Sequence, residues 1–160
     1  MSEHHVSLRI NGELNELDVP ARVTLADVLR DHLDLVGTHV GCEQGICGSC
    51  TVLIDGEAAR SCTVLAASID GADVRTVEGL SQNGELNPTQ QAFADAHGLQ
   101  CGFCTPGYLM TLEALLSAPQ RPSRDQMLDA LSGVVCRCTG YVGVLEAAEA
   151  AIDARYGKAK

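Results

Sequence analysis

Eight cysteines are the residues of this chain best suited to chemistry, and they form two groups of four with none left over. The first group lies in the N-terminal half and the second in the C-terminal half. The groups are Cys42, Cys47, Cys50 and Cys62, then Cys101, Cys104, Cys136 and Cys138. Four thiolates that converge on one point can bind a metal centre. The division therefore predicts two separate metal centres.

The first group has the spacing C-x4-C-x2-C-x11-C and begins in the glycine-rich loop 41–50. Its first three cysteines match the spacing of plant-type 2Fe–2S proteins. Glycines permit the tight and left-handed turns that wrap a loop round a cluster, and they let backbone N–H groups approach its sulfurs. Structural zinc is the alternative, but zinc sites favour paired C-x2-C knuckles. The loop therefore favours an iron–sulfur cluster.

The second group consists of a C-x2-C pair and a C-x-C pair, separated by 31 residues. Each pair comes just before a predicted helix, so the positive ends of two helix dipoles would face one anionic cluster. A zinc knuckle prefers two intervening residues, which makes the C-x-C unit less suitable for zinc. The spacing alone leaves zinc open as an alternative at this site.

Composition argues against several other classes of protein. The net charge of −10, with 3% aromatic residues and no tryptophan, argues against a nucleic-acid partner. The sequence has no run of 18 apolar residues, so no membrane span is expected. The polar N-terminus lacks an apolar signal core, which predicts a cytoplasmic protein. Thiols stay reduced in that compartment, so metal ligation is favoured over disulfides.

The sequence around the first group predicts a small α+β unit. Apolar and polar residues alternate over 6–19, and the Asn11-Gly12 pair within this stretch is a strong hairpin signal. Thr24, with an acidic residue three positions later, has the pattern of a helix N-cap. A second hairpin at Asp55-Gly56 would return the chain after the cysteine loop. We expect this hairpin to bring Cys62 back to the other three cysteines.

Four helices are predicted in the second half of the chain. Asn87, Thr105 and Ser123 each have the pattern of an N-cap, and Ser123 pairs with Gln126 in a capping box. The fourth helix follows Cys138. The joins between these helices are short, which predicts a compact bundle.

Three motifs carry a resemblance to a known family. They read GCEQGICGSCTVLIDG from residue 41, QCGFCTPG from residue 100 and CRCTGY from residue 136. From about residue 6 to residue 152, the chain resembles the small iron–sulfur subunit of the molybdenum hydroxylases, the family of xanthine dehydrogenase, aldehyde oxidase and bacterial carbon monoxide dehydrogenase. The resemblance implies an α+β fold. Residues 1–78 would form a β-grasp ferredoxin-like 2Fe–2S domain, and residues 79–160 a four-helix bundle 2Fe–2S-binding domain.

The resemblance also implies a place in a larger enzyme. The first cysteine group would hold the cluster distal to molybdenum, and the second group the proximal cluster. Gln100 and Cys138 would contact the pterin of a molybdenum cofactor on a large partner subunit, and a medium partner subunit would carry FAD. Electrons would run from molybdenum through both clusters to flavin, in an (αβγ)2 hetero-oligomer. The chain itself would perform no substrate chemistry.

Two other classes of function stay open at this point, an independent ferredoxin or redox sensor and a zinc-stabilised interaction module. A free ferredoxin would need neither Gln100 nor a helical unit. The chain departs from the commonest family pattern at Val134-Val135, where Asn-Leu is frequent, and at Val142, where Gln is frequent. None of these is a predicted ligand. We expect His4-His5 to lie in a disordered terminus and His39 to have a surface or packing role.

Overall fold

The computed structural model describes residues 3–158 and has the α+β fold that the sequence predicts. Its strands are β1 Glu3–Ile10, β2 Glu13–Pro20, β3 Thr51–Ile54, β4 Glu57–Arg60 and β5 Asp73–Arg75. They form a mixed five-stranded sheet in the order β2-β1-β5-β3-β4. Strands β1 and β5 are parallel, and the other neighbouring pairs are antiparallel.

Both predicted hairpins are confirmed. Asn11 and Gly12 have φ angles of 51° and 90° between β1 and β2, and Asp55 and Gly56 have φ angles of 51° and 89° between β3 and β4. Positive φ at both central residues is typical of the tight turn whose twist matches that of the sheet. The second hairpin is short, so the chain returns to the end of the cysteine loop after only two strands of four residues.

A short helical segment lies against the first cysteine group. It runs as α1, Leu25–Asp27, and continues as a π-helical turn, Val28–His32. The Thr24 hydroxyl accepts the N–H of Asp27, and the Asp27 carboxylate accepts the N–H of Thr24, so the predicted cap is confirmed. Ala26 is buried and packs against Cys50 and Cys62. The segment therefore closes one side of the site.

The four predicted helices of the second half are present. They are α2 Pro88–Asp95, α3 Thr105–Leu116, α4 Arg124–Ser132 and α5 Val142–Tyr156. Asn87 and Ser123 form capping boxes with Gln90 and Gln126, which confirms the predicted starts of α2 and α4.

The prediction that Thr105 caps α3 is wrong. Cys104 is the N-cap residue, and it makes no side-chain capping bond. The N–H of Thr105 donates to the C=O of Gly102 at 3.2 Å, so a tight turn leads straight into the helix and makes Thr105 its first residue. The start of α3 consequently places a cysteine where a capping hydroxyl was expected.

The prediction of a disordered terminus at His4-His5 is also wrong. Both residues lie in β1, where His4 pairs with Val19 and His5 with Asp18 of β2. His5 Nδ1 lies 3.0 Å from the Asp18 carboxylate. Because β1 pairs with the whole of β2, His4 and His5 have strand partners. The alternating sequence pattern begins only at Val6 and does not predict this pairing.

The helices of the second half share a buried core that reaches onto the sheet. Phe93, Tyr108 and Met110 belong to this core, and so does Leu53 of β3. Between the two halves, the Arg60 guanidinium donates to the C=O of Gly133 at 2.7 Å. The two halves are therefore packed on each other. Within residues 3–158 no helix is long and apolar enough to cross a membrane.

Candidate metal centres

The loop of the first cysteine group turns backbone N–H groups inward onto a sulfur. Glu43 and Gly45 have positive φ angles of 54° and 73°. The N–H groups of Gln44 and Cys47 lie 3.4 and 3.3 Å from Cys42 Sγ. The backbone donors of Cys47 and Gln44 stabilise the thiolate and lower the pKa of Cys42 to about 7. The loop is therefore shaped to hold an anionic sulfur.

The hairpin returns Cys62 to Cys50, as the sequence predicts. Cys62 lies in the 3-10 turn Ser61–Thr63 that follows β4, and the Ser61 hydroxyl donates to the C=O of Cys50 at 2.7 Å. Both thiols are buried. Burial, together with the neighbouring thiol of Cys50, raises the pKa of Cys62 to about 11. Two buried thiols so close together can both ionise only beside a positive centre.

The second group lies where two helices begin. Cys101 and Cys104 are in the turn that enters α3, and Cys136 and Cys138 are in the turn that enters α5. The Sγ atoms of Cys101 and Cys138 are 3.5 Å apart, and both residues are exposed. Burial, followed by the thiol of Cys136, raises the pKa of Cys104 to about 12. The four cysteines thus lie in the turns that lead into two helix N-termini, as the sequence predicts.

Within each group, the thiols interact in two pairs. The pairs are Cys42 with Cys47, Cys50 with Cys62, Cys101 with Cys138, and Cys104 with Cys136. A zinc ion takes its ligands at one centre, whereas a 2Fe–2S cluster spreads four thiolates over two irons. The thiols therefore fit two 2Fe–2S clusters.

A backbone hydrogen bond joins the two groups. The N–H of Val135 donates to the C=O of Cys47 at 2.9 Å, and Val135 immediately precedes Cys136. The two halves approach closely beside this bond because α3 has a glycine at position 107. A Cβ atom there would lie only 2.3 Å from the C=O oxygen of Gly48. A cysteine of the first group is thus connected to a cysteine of the second through one hydrogen bond and a short stretch of backbone.

An aromatic pair lies near the contact between the two cysteine groups. The rings of His39 and Phe103 stack with centroids 4.9 Å apart, and His39 Nδ1 lies 2.8 Å from the C=O oxygen of Phe103. A Cβ atom at Gly41 would lie 3.1 Å from the Phe103 ring and 3.3 Å from Cys47 Sγ. The Phe103 ring therefore lies over the first loop, and His39 has a packing role, which is one of the two roles predicted for it.

Two family models of iron–sulfur domains match this chain, one over each half. Residues 8–80 match a family described as "2Fe-2S iron-sulfur cluster binding domain", and residues 76–149 match one described as "2Fe-2S binding domain". The chain is 52% identical to caffeine dehydrogenase subunit gamma of Pseudomonas sp. strain CBB1, over 92% of this chain and 90% of that protein. It belongs to the small iron–sulfur subunits of the molybdenum hydroxylases.

Other members of this family match over similar lengths. The nicotine 6-hydroxylase small subunit of Paenarthrobacter nicotinovorans is 51% identical, over 89% of this chain and 86% of that protein. The crystal structure of quinoline 2-oxidoreductase from Pseudomonas putida 86 superposes with a TM-score of 0.91 and 46% identity, over 97% of both chains. The chain is accordingly an iron–sulfur subunit of an oxidoreductase, with two 2Fe–2S clusters.

The small subunit presents the predicted cofactor-binding residues on an exposed face. Gln100 is exposed and immediately precedes Cys101, whose Sγ lies 3.5 Å from that of the exposed Cys138. Tyr141 and Val142 follow Cys138 within four positions of the sequence and are 40% and 65% exposed. The second group is therefore open to a partner at its outer pair of thiols.

The sequence did not reveal two residues that hold the segment before Cys136. Arg60 donates to the C=O of Gly133 at 2.7 Å, and the buried Tyr108 hydroxyl donates to the C=O of Val134 at 2.6 Å. Both bonds go to backbone groups, which leave no mark in a sequence. Gly107 was an available signal of close packing near this segment, because glycine is a poor helix former and here stands in the first turn of α3.

Proposed function

We propose that this chain is the electron-transfer subunit of a molybdenum-cofactor hydroxylase. It passes electrons from the molybdopterin centre of a large partner subunit, through two 2Fe–2S clusters, to FAD on a medium partner subunit. The observation that carries the proposal is the hydrogen bond between Val135 and Cys47, because it connects the two cysteine groups directly. The names of the relatives, "subunit gamma" and "small subunit", support membership of a multi-subunit enzyme.

The two cysteine groups are assigned to two clusters. The proximal cluster takes Cys101, Cys104, Cys136 and Cys138, and the distal cluster takes Cys42, Cys47, Cys50 and Cys62. A bound 2Fe–2S cluster supplies one-electron oxidation and reduction. The backbone N–H groups that face Cys42 and Cys136 stabilise the negative charge on these sulfurs. The exposure of Cys101 and Cys138 supports entry of electrons at the proximal site.

Gln100 and Cys138 are proposed to contact the pterin of the molybdenum cofactor. The amide of Gln100 can both donate and accept hydrogen bonds, as a pterin edge requires. Gln100 is exposed next to the outer thiol pair, which supports a direct contact with a cofactor held by the partner. The partner then covers the apolar side chains on the same face.

The proposal extends to the organisation of the chain and its complex. Residues 1–78 form the ferredoxin-like domain, and residues 79–160 form the second domain, in which α2 to α5 are arranged as a four-helix bundle. The small subunit joins the large and medium subunits in an (αβγ)2 hetero-oligomer in the cytoplasm.

Isolation of the native complex through a tag on this chain tests the proposal. We expect molybdenum and flavin to co-purify at about one each per chain, with about four irons and four sulfides from two clusters. Recovery of the chain alone, red-brown and with four irons, would identify an independent ferredoxin. Stoichiometric zinc with little iron would show that both cluster assignments are wrong.

A further inference from the structure

A threonine hydroxyl reaches one of the thiols of the second group. Thr139 Oγ1 lies 3.0 Å from Cys136 Sγ, and the N–H of Thr139 lies 3.4 Å from the same sulfur. Among residues 3–158, this is the side-chain hydroxyl that the structure brings within hydrogen-bond distance of a cysteine sulfur. At Cys42, by contrast, the donors described are backbone N–H groups. The two sites therefore differ in one donor, the Thr139 hydroxyl at the second site.

A second hydrogen bond to the Thr139 hydroxyl fixes the direction of the first. The N–H of Tyr141 donates to Thr139 Oγ1 at 3.1 Å, so the hydroxyl oxygen already acts as an acceptor there. A hydroxyl has a single hydrogen, and a metal-bound thiolate has none. The Thr139 hydroxyl therefore donates its hydrogen to Cys136 Sγ when a cluster is bound.

Tyr141 holds Thr139 in this position, and its own backbone is strained. Its φ angle of 70° lies in the left-handed region, which an aromatic residue adopts rarely. Such strain persists only where the surroundings fix it, and it is frequent at functional sites. Here the Tyr141 hydroxyl accepts the N–H of Cys136 at 3.2 Å. Cys136, Thr139 and Tyr141 thus form a closed ring of hydrogen bonds.

We propose that Thr139 sets the reduction potential of the proximal cluster, with Tyr141 as the residue that positions it. Reduction adds negative charge to a cluster that is already anionic. A hydroxyl that donates to a ligand sulfur stabilises the reduced form and raises the potential. The inference rests on the proposed function only in requiring a 2Fe–2S cluster on the second cysteine group.

Three substitutions in the full chain, loaded with both clusters, test the inference. Thr139→Val removes the hydroxyl at nearly constant shape, and Thr139→Ser retains it. Thr63→Val is the matched control, because Thr63 adjoins Cys62 but its hydroxyl donates to the C=O of Arg60. The midpoint potential of each cluster is measured by redox titration followed by electron paramagnetic resonance, after iron and sulfide analysis.

We expect Thr139→Val to shift the proximal potential to a lower value, Thr139→Ser to keep the parental value, and the distal potential to stay constant. Thr63→Val should change neither. An unchanged proximal potential in the Val variant, or equal shifts in the Val and Ser variants, overturns the inference. Equal shifts of both clusters would show a general distortion and also overturn it.

Iron analysis separates this inference from the proposed function. A parental chain without iron contradicts both, whereas a parental chain with about four irons and no effect of Thr139→Val contradicts this inference alone. Thr139→Ala is made as well, in case valine fits poorly. Loss of the proximal cluster from both the Val and Ala variants, with retention in Thr139→Ser, would make Thr139 an assembly residue and overturn the inference.

Discussion

At the scale of single residues, the eight thiols share one chemistry but ionise differently. Backbone N–H groups lower the pKa of Cys42 to about 7, whereas burial raises the pKa of Cys62 to about 11 and that of Cys104 to about 12. The pKa of Cys42 is lower in the folded loop than its ordinary value of 9.0. Ionised Cys42 therefore favours the folded loop fully above pH 9, and the effect is lost as pH falls through 7.

This difference predicts the order in which the thiols react when the chain holds no iron. Because the thiolate is the nucleophile, Cys42 should react with iodoacetamide faster than Cys62 or Cys104 at pH 7.5. Its rate should be half-maximal near pH 7. Mass spectrometry of alkylated peptides measures the order, with Cys42→Ser as the control that removes the fast site. Equal rates at Cys42 and Cys104 would contradict the prediction.

Gln100 gives a prediction for the assembled enzyme. Gln100→Leu keeps the size of the side chain and removes its donor and acceptor, so unpaired pterin groups should cost about 1–3 kcal/mol. No thiolate is lost, and both clusters should be retained. Stopped-flow reduction of the clusters by the enzyme's own substrate should be slower than in the parent. Gln82→Leu, at another exposed glutamine, is the control. Normal assembly with a parental rate would make Gln100 a packing residue only.

At the scale of elements, sequence signals that involve a few adjacent residues correctly predict turns and helix starts. The turn at Asn11-Gly12, the N-cap at Asn87 and the capping box at Ser123 depend on neighbours within four positions, and all three are present. The prediction that Thr105 caps α3 is wrong, because the turn from Gly102 already starts the helix at that residue. A local pattern predicts that a helix begins, but packing decides at which residue.

Helix α3 carries a prediction that opposes its local propensity. In an isolated helix, Gly107→Ala would be favourable by about 1 kcal/mol. Here the new Cβ atom would lie 2.3 Å from the C=O oxygen of Gly48, so we expect the free energy of unfolding to fall by about 1–3 kcal/mol. Denaturant titration of the chain measures the change. Ala154→Gly, at an exposed position of α5, calibrates the propensity effect. Stabilisation by Gly107→Ala would contradict the close contact.

At the scale of the whole molecule, the cysteine spacing predicted the two groups but not how they meet. The contact between Val135 and Cys47 is between backbone atoms, and the bond from Arg60 to Gly133 spans 73 positions. Neither follows from spacing or periodicity, since both depend on how the helical half packs on the sheet. The arrangement of the thiols in pairs likewise depends on three-dimensional packing.

The two sites should be distinguishable in one molecule. Their surroundings differ, one being a glycine-rich loop and the other a pair of helix starts, so reductive titration should give two distinct electron paramagnetic resonance signals. Cys62→Ser should remove the distal signal and Cys136→Ser the proximal signal, each with loss of about half the iron. A single homogeneous signal in the parent, or loss of both signals from either variant, would contradict two independent sites.

The contact of Gly107 with Gly48 limits how this polypeptide can be divided into fragments. A fragment that ends near residue 80 keeps the whole sheet and four of the cysteines. It loses the N–H of Val135, and water replaces that group at the C=O of Cys47. The carbonyl of Gly48, covered by α3 in the intact chain, becomes solvated as well. Truncation would thus leave a complete β-sheet unit whose metal-binding loop is more exposed to solvent than in the parent.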